Sequence, residues 1–145
     1  MISEIRLRNI PCRRLANILF GLISLANWFP IPGQSPAPRT IFGLYGSGRT
    51  GRDFVRVMAR ENGKIGLNLK LYYANGQTCA LNKEGEWIGD HLVVAAEGLK
   101  ENEPCKLEVF FPKGRILFKD EGQRCAQVYC GSRGKLDEVT LPRKR

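Results

Sequence analysis

The sequence predicts an all-β fold, a small up-and-down (calycin-like) barrel of about eight antiparallel strands with two disulfides. Three observations support this prediction. Residues 64–73 alternate between apolar and polar side chains, which is the two-residue period of a half-buried strand. Asn-Gly pairs at 62–63 and 75–76 flank that run, and such pairs favour tight hairpin turns. The second half of the chain carries four cysteines, and no segment shows the sustained 3.6-residue period of an amphipathic helix.

Residues 1–26 are expected to be a signal peptide. Met1–Asn17 is basic and Ile18–Leu25 is uncharged and apolar, which is the order of a secretory signal. We expect cleavage after Ala26 rather than after Ala37, because a proline follows Ala37 and lacks the backbone N–H. The apolar run is about half as long as the roughly 20 residues that cross a bilayer, so we expect no stable membrane span.

Residues 27–40 contain four prolines and are expected to form a proline-rich linker, which leaves residues 41–145 as the barrel domain. That domain is predicted to be a meander of short strands separated by glycine, proline and asparagine. The predicted strand segments, in chain order, are Ile41–Tyr45, Asp53–Arg60, Lys64–Tyr73, Gln77–Asn82, Glu86–Ile88, His91–Glu97, Cys105–Phe111, Arg115–Lys119, Cys125–Tyr129 and Glu138–Leu141.

Strands with one apolar face must bury that face, either by closing into a barrel or by stacking as two sheets. Closure removes the exposed edges that make sheets aggregate, so the barrel is preferred and a two-sheet sandwich is the alternative. The side chains expected to face inward are bulky, which favours a filled interior over a ligand cavity. They are Leu67, Leu69, Leu71, Phe111, Ile116 and Phe118.

The barrel domain contains an even set of cysteines, Cys79, Cys105, Cys125 and Cys130. In an exported chain such a set favours two disulfides. Pairing Phe111 with Ile116 in a hairpin places Cys105 near Cys125 at one end of the strands. A Cys79–Cys105 bond would cross an intervening strand, a span of roughly 9–10 Å that exceeds the ~7 Å limit between Cα atoms. We therefore predict Cys105–Cys125 and Cys79–Cys130. The alternative, Cys125–Cys130 with Cys79–Cys105, stays open because a five-residue step in a loop can close.

The chain has a net charge of +9, and residues 38–145 carry 19 basic against 13 acidic residues, a net charge of +6. Such a surface attracts phosphates, anionic lipid or acidic proteins. Nucleic-acid binding is not expected, because strand alternation turns Tyr72 outward and Tyr73 inward, so the two rings form no shared stacking platform.

Catalytic and metal chemistry are not expected either. His91 is the only histidine, no serine lies in a nucleophile-elbow pattern, and the carboxylate pairs fall in probable turns. The Cys-x4-Cys spacing of Cys125 and Cys130 departs from the paired spacings of zinc sites. We therefore predict a non-enzymatic protein with no catalytic residues, no metal and no cofactor.

A motif lies near the C-terminus: Tyr129, Cys130, Gly131, Arg133, Gly134, Leu136 and Asp137. With Thr78-Cys79 and Cys105-Lys-Leu, it resembles a group of small exported bacterial β-barrel proteins of uncharacterised role that end in a Tyr-Cys-Gly-x-Arg-Gly-x-Leu-Asp pattern. Those proteins are similar in architecture to lipocalin-like and lysozyme-inhibitor barrels. This chain has Glu138 where the group often has glycine.

We expect Tyr129, Gly131, Arg133, Gly134 and Asp137 to be structural. Arg133 and Asp137 flank Gly134 in a turn, where the guanidinium is expected to satisfy backbone carbonyls or to pair with the carboxylate.

The sequence therefore predicts a periplasmic or secreted monomer that binds an envelope protein or an anionic envelope polymer, with an inhibitor or immunity-type role among the possibilities. The alternative is a lipocalin-like carrier of a small apolar ligand. A lysozyme is a poor partner, because lysozymes are usually basic and the +6 surface would repel one.

Overall fold

Eight antiparallel strands follow one another around a nearly closed barrel, each paired with its neighbour in the sequence. The computed structural model describes residues 35–47, 52–100 and 102–145. The strands of this described part are β1 Gly43–Tyr45, β2 Phe54–Ala59, β3 Ile65–Tyr72, β4 Thr78–Ile88, β5 His91–Lys100, β6 Glu103–Phe110, β7 Arg115–Asp120 and β8 Thr140–Pro142. One short α-helix, α1, spans Arg124–Tyr129.

The first and last strands close the barrel. Gly46 N donates to Pro142 O at 2.9 Å and Lys144 N donates to Leu44 O at 2.8 Å, so the two ends of the meander share backbone hydrogen bonds. The Arg143 guanidinium fixes the same corner by donating to two carbonyl oxygens of the entering chain. The predicted barrel is confirmed, and the sandwich alternative is not adopted.

Side chains fill the interior. The strand residues that point inward include Leu67, Leu107 and Phe118, each with no measurable exposure. Of the side chains predicted to face inward, Phe111 alone is only partly buried, because it follows the end of β6 and packs at the barrel mouth against Tyr45. An interior filled by side chains is what an eight-stranded barrel of this size allows.

Three predicted strand segments differ in the structure. Gln77–Asn82 and Glu86–Ile88 are parts of one long strand, β4. Cys125–Tyr129, predicted as a strand, belongs to α1. The helix forms there because the Asp120 carboxylate accepts hydrogen bonds from the first-turn N–H groups of Cys125 and Ala126, at 3.0 and 2.7 Å. Six residues are too few to show a helical period in the sequence.

Both predicted disulfides are present, Cys79–Cys130 and Cys105–Cys125. The register that led to them is also correct. In the β6–β7 hairpin, Phe110 lies opposite Leu117 and Val109 opposite Phe118, which continues the predicted Phe111–Ile116 alignment. The local alternative, Cys125–Cys130 with Cys79–Cys105, is wrong, because α1 carries Cys125 and Cys130 to different strands.

The predicted signal peptide, residues 1–26, and residues 27–34 of the predicted linker lie outside the described residues. At the start of the described part, Arg39–Ile41 forms a 3-10 turn that buries Ile41 and leads into β1. In the part of the chain that the structure describes, no helix has the length and apolar character needed to cross a membrane.

Candidate functional site

The barrel wall is incomplete between β4 and β5. These neighbours pair at Ile88 and His91, Trp87 and Leu92, and Glu86 and Val93, and their ladder ends there. Beyond that point β4 continues to pair with β3, whereas β5 pairs with β6 as far as Ala96 and again at Lys100, with an irregularity in the ladder between them. We call this gap, between residues 80–84 of β4 and residues 95–99 of β5, the seam.

The backbone on each side of the seam presents unpaired groups to the gap. In antiparallel strands the backbone N–H and C=O of successive residues point to opposite neighbours. The hydrogen bond from Tyr73 N to Gln77 O, at 2.9 Å, shows that odd-numbered residues of β4 bond to β3. The even-numbered residues therefore face β5. Extending the β4–β5 register would pair Glu84 with Ala95, and that pair is absent from the ladder.

Lys83 supplies a physical reason for the gap. It lies at an inward-phase position of β4, between the buried Leu81 and Gly85. An unpaired ammonium group cannot be buried in an apolar core at acceptable cost. The Lys83 side chain instead reaches out to Glu97 of β5, with 2.6 Å between Nζ and Oε1. A side-chain ion pair thus stands between these strands in place of a continuous backbone ladder.

Glu97 also joins α1 to the sheet. The Tyr129 hydroxyl donates to Glu97 Oε2 at 2.6 Å. The hydrogen bond from Lys83, and then that from Tyr129, lower the pKa of Glu97 to about 2. Partial burial, and then the bond to Glu97, raise the pKa of Tyr129 to about 12. Both shifts keep the carboxylate charged and the phenol protonated at neutral pH, so Tyr129 is suited to donating a fixed hydrogen bond and not to acting as a base.

The two disulfides close the seam at one end. Helix α1 packs against β4, β5 and β6. Cys125, in its first turn, is bonded to Cys105 of β6, and Cys130, which caps its C-terminus, is bonded to Cys79 of β4. The two disulfides therefore link β4 to β6 through α1. They span β5, which is not paired with β4 in the seam. The crosslinks hold together the part of the wall that backbone hydrogen bonds leave open.

Two grooves follow the seam on the outer surface. One, of about 440 Å³, is lined by Lys83, Ala95–Gly98, Lys100 and Pro104. The other, of about 320 Å³, lies nearer the β4–β5 turn. Two large apolar side chains are exposed along this surface: Leu99, at the end of the seam, is 70% exposed, and Ile88, which lines the second groove near the β4–β5 turn, is 47% exposed. The seam thus combines free backbone groups with apolar side chains on an open surface.

The residues of the C-terminal motif hold the chain around α1. Gly131 follows the helix with φ 72°, the left-handed conformation that commonly ends helices at glycine. Gly134 is buried, and a Cβ there would collide with Cys130. Asp137 accepts a hydrogen bond from Asp120 N at 3.1 Å. Glu138 has φ 60°, a left-handed backbone conformation that favours glycine.

Arg133 behaves differently from the expectation. Its side chain is exposed, and among the described residues its guanidinium neither pairs with Asp137 nor bonds to a carbonyl. Its backbone oxygen accepts from Asn75 Nδ2 at 3.3 Å. Asp137 bonds to the end of β7, whereas Arg133 lies exposed on the turn, so the structural role of Arg133 stays a prediction.

The described residues present no cluster of three or more histidine, cysteine or carboxylate side chains with metal-binding geometry. His91 Nδ1 lies 3.0 Å from the Asp90 carboxylate, and the His91 ring stacks on Phe110 with centroids 4.7 Å apart. This arrangement places the imidazole on the outer sheet surface beside one carboxylate.

Comparison with protein-family models, with curated proteins and with solved structures found no match to this chain. Sequence reasoning also missed the seam. Its signal was present in β4, because Lys83 interrupts the inward apolar series at Cys79 and Leu81. A charged residue in the inward phase of a barrel strand indicates a place where the wall is open.

Proposed function

We propose that this chain is an exported, non-enzymatic binding protein that holds an extended segment of an envelope protein along the seam. The observation that carries the proposal is the missing Glu84–Ala95 pair, which leaves seam-facing backbone groups on two strands. An added strand binds such an edge through main-chain hydrogen bonds, and its alternate side chains enter the flanking grooves.

The rest of the molecule supports this mode of binding. The described part of the barrel has a continuous cluster of buried core side chains, which favours a surface site over a lipocalin-like cavity. The crosslinked helix keeps both edges of the seam in place, so little ordering is required when a partner binds. A rigid scaffold with a surface site suits an inhibitor or immunity-type role.

The compartment follows from the crosslinks and the N-terminus. Two disulfides indicate an oxidising, extracytoplasmic environment. The basic and apolar order of residues 1–26 supports a periplasmic or secreted protein that begins near Asn27. The motif around Tyr129 supports the same assignment through its resemblance to small exported barrel proteins.

Site-specific photocrosslinking in the cell envelope tests the proposal. A photoreactive residue placed at Ile88 or at Leu99 is expected to capture the same protein, and one placed at the exposed Thr140 of β8 is expected not to capture it. Ala95→Pro removes an N–H that faces the seam and leaves the β5–β6 ladder intact, because the Ala95 N–H points toward β4 and not toward β6. This change is expected to abolish capture, and Ala95→Ser, the matched control, is expected to retain it. Equal capture from Thr140, or capture unaffected by Ala95→Pro, would contradict the proposal.

A further inference from the structure

The outer face of β2–β4 carries basic and aromatic side chains with unused binding groups. We propose that it is a second binding site, which adjoins the seam at Asn82, for a linear sugar polymer that bears carboxylates. The side chains that define this cationic face are Phe54, Arg56, Asn68, Lys70, Tyr72 and Asn82, and all are outward residues of their strands.

The strand register places five of these side chains in two adjacent rows and Tyr72 in the next row. Arg56 lies opposite Asn68, which lies opposite Asn82. Phe54 lies opposite Lys70, so Arg56 and Lys70 are diagonal neighbours about 7–8 Å apart. Two long basic side chains that leave neighbouring positions of the sheet match repeating anionic groups along an extended polymer better than they match a single ion.

The charges of this face are not neutralised from within the molecule. Among the described residues, neither the Arg56 guanidinium nor the Lys70 ammonium forms an ion pair; Lys70 Nζ lies 5.3 Å from the Tyr72 ring centroid. Two carboxylates border this face, and each is held by other groups, although the donors to Asp53 are neutral and leave its negative charge in place. Asp53 accepts from Tyr72 N and from the Ser47 hydroxyl, and Glu84 pairs with Arg60.

The opposite side of the barrel provides the contrast. On the outer face of β6 and β7, Lys106 pairs with Glu108 at 2.7 Å. Lys119 lies 5.0 Å from the Phe110 ring centroid and opposite Glu108 in the register. Lys106 and Lys119 thus each lie beside Glu108, whereas Arg56 and Lys70 have no carboxylate partner among the described residues and can pair with an anionic ligand.

The neutral groups favour a sugar polymer over other polyanions. The Asn68 and Asn82 amides have no hydrogen-bond partner among the described residues, and an amide both donates to and accepts from hydroxyl groups. Tyr72 is 41% exposed and presents a ring against which the C–H face of a sugar can pack. Single-stranded nucleic acid needs a series of exposed rings for successive bases, and here Tyr73 turns away to donate to Lys135 O.

Affinity electrophoresis of the exported protein through gels containing polygalacturonate tests the inference, with neutral dextran as the blank polymer. The double variant Arg56→Gln with Lys70→Gln is expected to weaken binding at least tenfold. The matched double variant, Lys106→Gln with Lys119→Gln, removes the same charge from the opposite face and is expected to change binding less than twofold. Tyr72→Ala leaves the charge unchanged and is expected to weaken binding at least threefold. Thermal unfolding checks that each variant keeps its fold.

Three results would overturn the inference. An equal loss in the matched double variant would show that net charge alone holds the polymer. Tighter binding, at the same ionic strength, to phosphatidylglycerol vesicles or to single-stranded DNA would assign the face to lipid or to nucleic acid. A Tyr72→Ala variant that binds like the parent would remove the sugar-specific contact. Seam crosslinking at Ile88 is expected to be unchanged in the Arg56→Gln, Lys70→Gln variant, so the two proposals fail independently.

Discussion

Asp120 is the charged side chain that the described part of the barrel buries, at 1% exposure. Its two carboxylate oxygens accept from Cys125 N and Ala126 N, and its own N–H donates to Asp137. A buried carboxylate is tolerated where every lone pair that faces the protein has a donor. Asp120 therefore determines where β7 ends and where α1 begins.

Asp120→Ala is expected to lower the free energy of unfolding by about 1–3 kcal/mol, because it leaves the first-turn N–H groups of α1 buried without acceptors. Denaturant unfolding with the disulfides intact measures the loss. Glu121→Ala, at the exposed neighbouring position, is the control and is expected to stay within about 0.5 kcal/mol of the parent. A loss no larger for Asp120→Ala than for Glu121→Ala would show that the carboxylate does not hold the helix.

The contribution of Glu97 to the stability of the folded protein is expected to depend on pH. Its folded-state pKa of about 2 lies below the ordinary value of 4.5, so the stability it contributes is fully present above pH 4.5 and is lost as the pH falls through about 2. The difference in unfolding free energy between the parent and Glu97→Gln is expected to be constant at neutral pH and to shrink between about pH 4 and about pH 2. Chemical denaturation across that range measures it. A pH-independent difference would mean that the carboxylate charge contributes nothing.

The sequence predicts which side chains are buried better than it predicts which side chains contact each other. Alternation placed Leu67 and Phe118 inside the barrel because burial follows the strand period directly. The partners of Arg133 and Asp137 could not be predicted, because four residues of separation do not say which side chain turns inward. Glu97 and Tyr129 meet across 32 positions, and only the packing of α1 against β5 brings them together.

At the scale of elements, α1 and its disulfides compensate for the part of β4–β5 pairing that is missing. Strand order and hairpin register could be predicted from the Asn-Gly turns and from the alternation of β3 and β6, which is why the cysteine pairing was correct. Helix α1 could not be predicted, because the side chain that caps it belongs to Asp120. A tight turn separates Asp120 from the helix, and Gly122 and Gln123 in that turn have left-handed conformations. Local pattern alone favours a strand there.

Removing a disulfide is expected to lower the free energy of unfolding more when the loop that the disulfide closes is longer. Cys79–Cys130 closes a loop of 51 residues and Cys105–Cys125 one of 20. Replacing both cysteines of one disulfide by alanine is expected to lower the free energy of unfolding by about 4 kcal/mol for Cys79–Cys130 and by about 3 kcal/mol for Cys105–Cys125. These values follow from the entropy that loop closure removes from the unfolded chain. Denaturant titration of the two double variants decides the order. A smaller loss for the longer loop would show that native contacts around α1, and not loop closure, determine the effect.

At the scale of the whole molecule, barrel closure was predictable and the opening in its wall was not. Apolar faces on eight strands require closure, and the hydrogen bonds between β1 and β8 complete it. The seam depends on Lys83, which occupies an inward-facing position of β4, and on its partner Glu97 in β5. It also depends on α1, which packs beside these strands. The binding proposals rest on that combination, which leaves a rigid barrel with an open edge on one side and a cationic face next to it.

Hydrogen exchange of the backbone amides, followed by NMR on the oxidised protein, tests the open seam most directly. The account predicts fast exchange at Glu84 and Ala95, whose N–H groups face the gap. It predicts slow exchange at Lys83 and Val94, one residue away, whose N–H groups bond to β3 and β6. Protection of Glu84 and Ala95 equal to that of Lys83 and Val94 would mean that β4 and β5 are paired along their length, and would contradict the account.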